Sequence, residues 1–229
     1  MDEREVLKRY FGYDAFRPGQ GEVVRALLEG RDALCVMPTG AGKSLCYQVP
    51  ALLLKGVTLV VSPLISLMKD QVAALNQVGV RAAYLNSSLT PRQFALALEN
   101  ARQGLYRVIY VAPERLETPA FRDLCREIAV PLVAVDEAHC VSQWGQDFRP
   151  SYLRIRDFVE SLPARPALGA FTATATPEVR DDIRDLLGLQ DPFCVATGFD
   201  RPNLRCAVEN VPQGEKADAL VRLLREQKG

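Results

Sequence analysis

The stretch Met37-Pro38-Thr39-Gly40-Ala41-Gly42-Lys43-Ser44 constrains this chain more than any other, because it separates an apolar run from an amphipathic one. Leu34-Cys35-Val36 suits a buried strand, and Leu45, Val49, Leu52 and Leu53 recur at helical spacing. A strand that turns through glycines into a helix aims successive backbone N–H groups inward and adds the positive end of the helix dipole. The stretch therefore predicts a polyphosphate cradle made by Thr39, Gly40, Ala41, Gly42, Lys43 and Ser44. Lys43 would reach the terminal phosphates, and the Ser44 hydroxyl would ligate Mg²⁺. The strict pattern opens on glycine where this chain has Met37, so the reading rests on Gly40, Gly42, Lys43 and Ser44.

A cradle of this kind needs a sheet behind it. Short apolar runs recur at Leu34 to Met37, Val57 to Val61, Val108 to Ala112, Leu132 to Val135 and Leu168 to Phe171. Strands apolar on both faces belong to a mostly parallel sheet with helices on both sides, so the predicted class is α/β. The helices between them are punctuated: Ser62-Pro63 opens one that stops at Gly79, Thr90-Pro91 one that stops at Gly104, and Thr176-Pro177 one that stops at Gly188. At 229 residues and 48% hydrophobic content, the chain can bury one large domain, or one domain and part of another.

Composition closes off several chemistries. The formal net charge is zero, so a nucleic-acid partner would have to be held by a local groove. Six cysteines form no CxxC pair and no metal-ligand spacing, which predicts reduced thiols and no structural zinc. His139 is the single histidine, leaving nothing for histidine-rich metal sites. The charged start MDEREVLKRY fits neither a signal peptide nor a membrane span, and no membrane partner is expected.

Beyond the strand ending at Val135 comes Asp136-Glu137-Ala138-His139. Carboxylates at that strand's end can face the phosphate loop. Asp136 would hold the Mg²⁺ and Glu137 would orient and polarise an attacking water, since phosphoanhydride hydrolysis needs one acid for each task. His139 is placed to link this pair to neighbouring polar groups.

Together MPTGAGKS, DEAH and Thr172-Ala173-Thr174-Ala175-Thr176 resemble motifs I, II and III of the superfamily 2 helicases. FGYDAFRPGQ (Phe11 to Gln20), SPLISLMKDQ (Ser62 to Gln71) and SQWGQDFRP (Ser142 to Pro150) narrow the resemblance to the RecQ family of DNA helicases. APERL (Ala112 to Leu116) and FDRPNLR (Phe199 to Arg205) resemble RecQ segments in the expected order.

The resemblance implies ATP and Mg²⁺ as cofactors, with Tyr13 stacking on adenine, Arg17 packing beside it and Gln20 reading the base edge. It implies DNA contacts from Ser62, Ser66, Lys69, Asn86 and Ser87, and a relay through Thr172 and Thr174. In the loop after DEAH, Trp144, Phe148 and Arg149, with Gly145 supplying flexibility, would stack on single-stranded DNA. Family members commonly carry histidine where this chain has Gln146, which hydrogen-bonds without taking up a proton.

What the resemblance implies for the whole is a RecA-like first motor lobe at residues 1–203. The opening strand (Leu204 to Val208) and helix (Glu215 to Gln227) of a second lobe would occupy 204–229 of a longer helicase. Such a lobe would bind nucleotide and unwind nothing alone. The intact enzyme would move 3′ to 5′ on single-stranded and forked DNA in repair and recombination, in a bacterial cytoplasm with the nucleoid or in a eukaryotic nucleus. Rival readings are a DEAH- or DEAD-type RNA helicase lobe, a regulatory ATP- or DNA-binding module without turnover and, more remotely, a small-molecule kinase.

Overall fold

The computed structural model describes residues 1–145, 147–198 and 207–226. The chain divides into two compact units, Met1–Gly198 and Phe199–Gly229. In the first, the order is α1 (Glu3–Phe11), α2 (Gln20–Leu28), β1 (Ala33–Val36), α3 (Lys43–Leu53), β2 (Thr58–Val61), α4 (Ile65–Gln77) and β3 (Ala82–Leu85). There follow α5 (Pro91–Arg102), β4 (Val108–Val111), α6 (Pro119–Glu127), β5 (Leu132–Val135), α7 (Arg154–Glu160), β6 (Ala167–Thr172), α8 (Pro177–Leu187) and β7 (Phe193–Ala196). The seven strands form one sheet in the order β3-β4-β2-β5-β6-β1-β7, and every pairing is parallel. The α/β class with a parallel sheet is thus borne out.

Alternation along the strands explains how both faces come to be covered. Leu59, Val61, Ile109, Val111, Val133 and Val135 point into one core, which α5, α6, α7 and α8 close with Leu98, Phe121, Phe158 and Ile183. Their neighbours Val60, Val108, Tyr110, Leu132 and Ala134 point the other way, against Val23 and Leu27 of α2, Tyr47 of α3 and Met68 of α4. Each such side chain, fully buried, contributes roughly 1.5–3 kcal/mol of hydrophobic free energy. On the second face α1 adds a further layer through Val6 and Leu7, against Val24 and Val49.

Local chemistry sets the helix ends. Asp2 accepts from the N–H groups of Arg4 and Glu5 while Glu5 reaches back to the Asp2 N–H, a reciprocal cap that starts α1. Thr90 and Gln93 do the same for α5. The helix predicted after Ser62-Pro63 begins later, at Ile65, with Leu64 at the cap position and no side-chain cap bond.

At the sheet's carboxyl edge the ladder runs one residue past five strands, among them β1, β2 and β5. Met37 N–H donates to the Thr172 carbonyl at 3.0 Å, Ser62 N–H to Val111 at 3.2 Å and Asp136 N–H to Val61 at 2.8 Å. These residues are therefore set by the sheet and not by a free loop. At the opposite edge, buried Asp32 takes both guanidinium nitrogens of Arg165, at 3.0 and 2.6 Å, and the N–H groups of Leu168 and Gln190, at 2.8 and 2.7 Å.

Considered by itself, the second unit has a 3₁₀ turn (Gln213–Glu215) leading into α9 (Lys216–Glu226), along which Leu220, Leu223 and Leu224 are exposed. The strand expected at Leu204 to Val208 lies mostly outside the described residues, and Ala207 and Val208 carry no regular structure. Phe199 to Arg205, Gln227 and Gln146 also lie outside them. Among the described residues no helix is long and apolar enough to cross a membrane.

Candidate nucleotide and nucleic-acid site

The loop between β1 and α3 turns through two left-handed glycines, Gly40 (φ +84°) and Gly42 (φ +82°). Gly42 is also the cap residue of α3, and a Cβ there would come within 2.6 Å of Gln20 Nε2. The backbone conformation demands glycine at this point, and a side chain there would also push the Gln20 amide off the loop. Lys43 lies in the first turn of α3, its ammonium donating to the Met37 carbonyl at 3.0 Å. Met37 is buried, and its methyl approaches Gly19 at the start of α2. The departure from the strict pattern thus serves as a packing contact between the loop and the segment before it.

That preceding segment braces the cradle. Gln20 is buried, and its amide donates to the carbonyls of Ala41 at 2.8 Å and Gly42 at 3.1 Å while accepting from Arg17 N–H at 2.9 Å. The Arg17 guanidinium donates to the Gly40 carbonyl at 2.5 Å. Two of the three residues expected at the base, Arg17 and Gln20, are here bonded to the loop, so contact with a base would require Gln20 to exchange loop partners. Tyr13 is exposed at the rim of a cleft of about 310 Å³, which Gly42, Ser44 and Leu45 of the loop and first turn also line. Gln48 and Gln71 line it as well, and Gln48 Nε2 donates to Gln71 Oε1 at 2.9 Å and to the Tyr110 hydroxyl at 3.0 Å. Thr39 is exposed at the loop's start.

Asp136 and Glu137 stand on the same edge, with β6 between β5 and β1. Asp136 is buried, and that burial, with the charge of Glu137 second, pushes its carboxyl up to about 6 against the pull of Lys43. The buried Ser62 hydroxyl lowers it slightly, from a position short of a full hydrogen bond, and has no other partner among the described residues. The Tyr152 hydroxyl donates to the Asp136 carbonyl at 2.9 Å. Glu137 adopts a left-handed backbone (φ +48°), a conformation that costs energy in a residue with a Cβ and that turns its side chain out of strand register.

His139 links this pair to β6. Its Nδ1 lies 2.8 Å from Thr172 Oγ1 and 3.4 Å from Glu137 Oε2. The Thr172 hydroxyl donates to the Thr174 carbonyl at 3.0 Å, which leaves its lone pair for a proton on Nδ1. Of the two threonines expected to form a relay, Thr172 is bonded through its hydroxyl to the Thr174 backbone, and the Thr174 side chain is exposed.

Several sequence expectations need correction. Ser62 and Asn86 are fully buried, so neither side chain offers a DNA-facing surface. Asn86 Oδ1 accepts from Ser88 N–H and its hydroxyl, at 3.0 and 2.7 Å, and shapes the turn. Ser66, Lys69 and Ser87 are exposed. Gly145 is present for close approach and not for flexibility: a Cβ would sit 2.3 Å from the His139 carbonyl. Trp144 is 81% exposed and Phe148 half-buried. Arg149 is bonded to Asp147 at 2.7 Å and donates to the Pro63 carbonyl at 3.2 Å, tying the loop to the start of α4. Sequence reading missed the Tyr152 contact and the bond from the Ser142 hydroxyl to Asp182, at 2.6 Å, which join residues with no motif spacing between them.

Comparison with known proteins agrees with this geometry. The family model of the DEAD/DEAH box helicases matches residues 17–183. The chain is 49% identical over 219 residues to the ATP-dependent DNA helicase RecQ of Bacillus subtilis (strain 168), covering 95% of this chain and 36% of that protein. It is 46% identical over 225 residues to the protein of the same name from Pasteurella multocida (strain Pm70), covering 98% and 35%. The chain therefore spans about a third of the length of these relatives. The structure of Mycobacterium smegmatis helicase Lhr shares the fold, with a TM-score of 0.66 at 22% identity over 84% of this chain and 27% of that one. The resemblance to RecQ helicases is borne out.

Proposed function

From the DEAD/DEAH box helicase family, to which the chain belongs, we propose that it acts as the ATP-binding first motor lobe of a longer RecQ-type DNA helicase. The observation that carries this reading is the meeting of two structures on one sheet edge. The glycine loop with Lys43 follows β1, and the acidic pair Asp136-Glu137 follows β5.

The residues present fit a magnesium nucleotide. Gly40, Ala41 and Gly42 offer backbone N–H groups, Lys43 an ammonium, and Ser44 and Asp136 the oxygen ligands. A buried carboxylate without an ion pair among the described residues, beside a Ser62 hydroxyl without a full hydrogen bond among them, marks a place suited to a cation. Bound there, Mg²⁺ would neutralise phosphate charge. Lys43 would move from the Met37 carbonyl to the phosphates. Glu137 would hold the attacking water, its orientation steadied by His139 and Thr172. Tyr13, Arg17 and Gln20 would receive the adenine, with Gln20 trading a loop carbonyl for the base edge.

Exposed Ser66, Lys69, Ser87, Trp144 and half-buried Phe148 would meet single-stranded DNA across the same edge. Residues from 204 onward would open the second lobe, whose arginine completes hydrolysis. The enzyme would translocate 3′ to 5′ in repair and recombination wherever cellular DNA is found.

Three measurements test the reading. Lys43→Ala should lower ATP affinity roughly tenfold or more, the worth of one charge-assisted bond, with the fold intact. Unchanged affinity in calorimetry would remove the cradle assignment. The 229-residue chain should bind ATP yet separate no strands, and robust unwinding by it would refute the two-lobe reading. Stimulation of the full polypeptide's ATPase by RNA but not by DNA would favour an RNA helicase.

A further inference from the structure

Trp144 lies on a loop, yet the backbone around it is held on two sides. Ser142 is fully buried, and its hydroxyl donates to Asp182 Oδ2 at 2.6 Å, a short bond of the charge-assisted kind. The same oxygen accepts the Trp144 N–H at 3.1 Å. One hydroxyl thus joins the tryptophan's backbone to α8. On the other side Gly145 N–H donates to the Ser142 carbonyl at 3.0 Å, Ser142 N–H donates to the His139 carbonyl at 3.1 Å, and Gly145 packs on that carbonyl. Asp182 is half-buried in the middle of α8, the helix that follows the Thr172–Thr176 segment.

We propose that Asp182 is a positioning residue: through Ser142 it latches the Trp144 loop to α8, so that a base stacking on Trp144 displaces the DEAH turn instead of merely swinging a loose loop. Without the latch, Trp144 keeps its exposure and its backbone link to His139 but loses the tie to α8 against which a push on the loop is transmitted. The role in DNA response rests on the helicase reading above; the latch itself does not.

Trp144 is the chain's single tryptophan, so its emission reports this loop alone. Time-resolved anisotropy of the 229-residue chain should show a larger sub-nanosecond component in D182A and in S142A than in wild type. D182N, which keeps an acceptor oxygen, should stay near wild type. Circular dichroism accompanies each variant, and S142A, a smaller change, carries the test if D182A fails to fold. Unchanged anisotropy in D182A and S142A overturns the latch, whatever the protein does.

In the full polypeptide, D182A should keep its basal ATP turnover and lose roughly tenfold in single-stranded-DNA stimulation, the scale of one charge-assisted hydrogen bond, with D182N restoring most of it. Normal stimulation in D182A with altered anisotropy overturns the positioning role. A wild-type enzyme that no DNA stimulates overturns the helicase reading and the positioning role with it, while the anisotropy result still decides the latch.

Discussion

Two buried aspartates stand at opposite ends of the same parallel sheet, and their surroundings differ in every respect that matters. Asp32, before β1, has its carboxylate fully used by Arg165 and two backbone N–H groups. Asp136, after β5, is nearly as buried but has no ion pair among the described residues, and its carboxyl is pushed up to about 6. The first arrangement ties β1, β6 and the segment before β7 together. The second leaves a charge under-solvated at the edge where the phosphate loop lies. Groups perturbed in this way cluster at sites that bind a ligand, so the contrast separates a bracing end from a working end suited to binding.

The largest expected effect comes from removing the brace. Asp32→Ala leaves the Arg165 guanidinium and two N–H groups without their acceptor, and breaking a buried pair of this kind costs about 3–5 kcal/mol. Urea denaturation should show that loss, while ATP affinity measured on the folded protein stays near wild type. Weakened ATP binding at unchanged stability would erase the distinction between the two ends.

At the working end the sign should reverse. Between its ordinary value of 3.8 and about 6, the folded protein holds a proton on Asp136 that the unfolded chain has released. Stability should therefore fall as pH rises through that window, and ionised Asp136 costs the nucleotide-free fold roughly 3 kcal/mol at neutral pH. Asp136→Asn should stabilise the protein by up to about that amount and flatten its stability over this window, while weakening Mg²⁺-dependent nucleotide binding. The check is the difference between wild-type and variant melting curves across pH. A destabilised D136N would mean that Asp136 braces the fold as Asp32 does.

The two ends were also unequally legible. At the carboxyl edge, glycines, a lysine and paired acids stand at spacings that only their chemistry explains, and β5 was placed at its observed bounds, Leu132 to Val135. The helix starting after Thr90 was readable because its cap is local. Edge strands β3 and β7 were missed: they are short and only partly buried, so neither a continuous apolar run nor a long alternation marks them. Helix α1 looked like a charged start, because only Val6 and Leu7 are buried. Asp32 was unreadable, since its partners are 133 to 158 residues away and no local pattern points to them. The burial of Ser62 and Asn86 was unreadable for a related reason: a polar residue at a strand end looks exposed until the neighbouring strands are counted over it.

The smallest expected effect sharpens the comparison at Gln20, which braces the working end as Asp32 braces the other, but with neutral bonds that can be exchanged. Its amide donates to the carbonyls of Ala41 and Gly42 and accepts from Arg17 N–H. Loop carbonyls can turn to water, so Gln20→Ala should cost only about 1 kcal/mol of stability, the net worth of such a bond. If Gln20 also reads adenine, the same change should narrow the preference for ATP over GTP, whose base edge exchanges donor and acceptor. Gln20→Glu separates the two duties, because a carboxylate cannot donate to Ala41 and Gly42 and would face their carbonyl oxygens. It should weaken both nucleotides more than alanine does if the brace matters. Calorimetry with ATP and GTP on the three proteins decides between them. An unchanged ATP-to-GTP ratio in Q20A removes the base-reading duty, and equal affinities in Q20A and Q20E remove the brace.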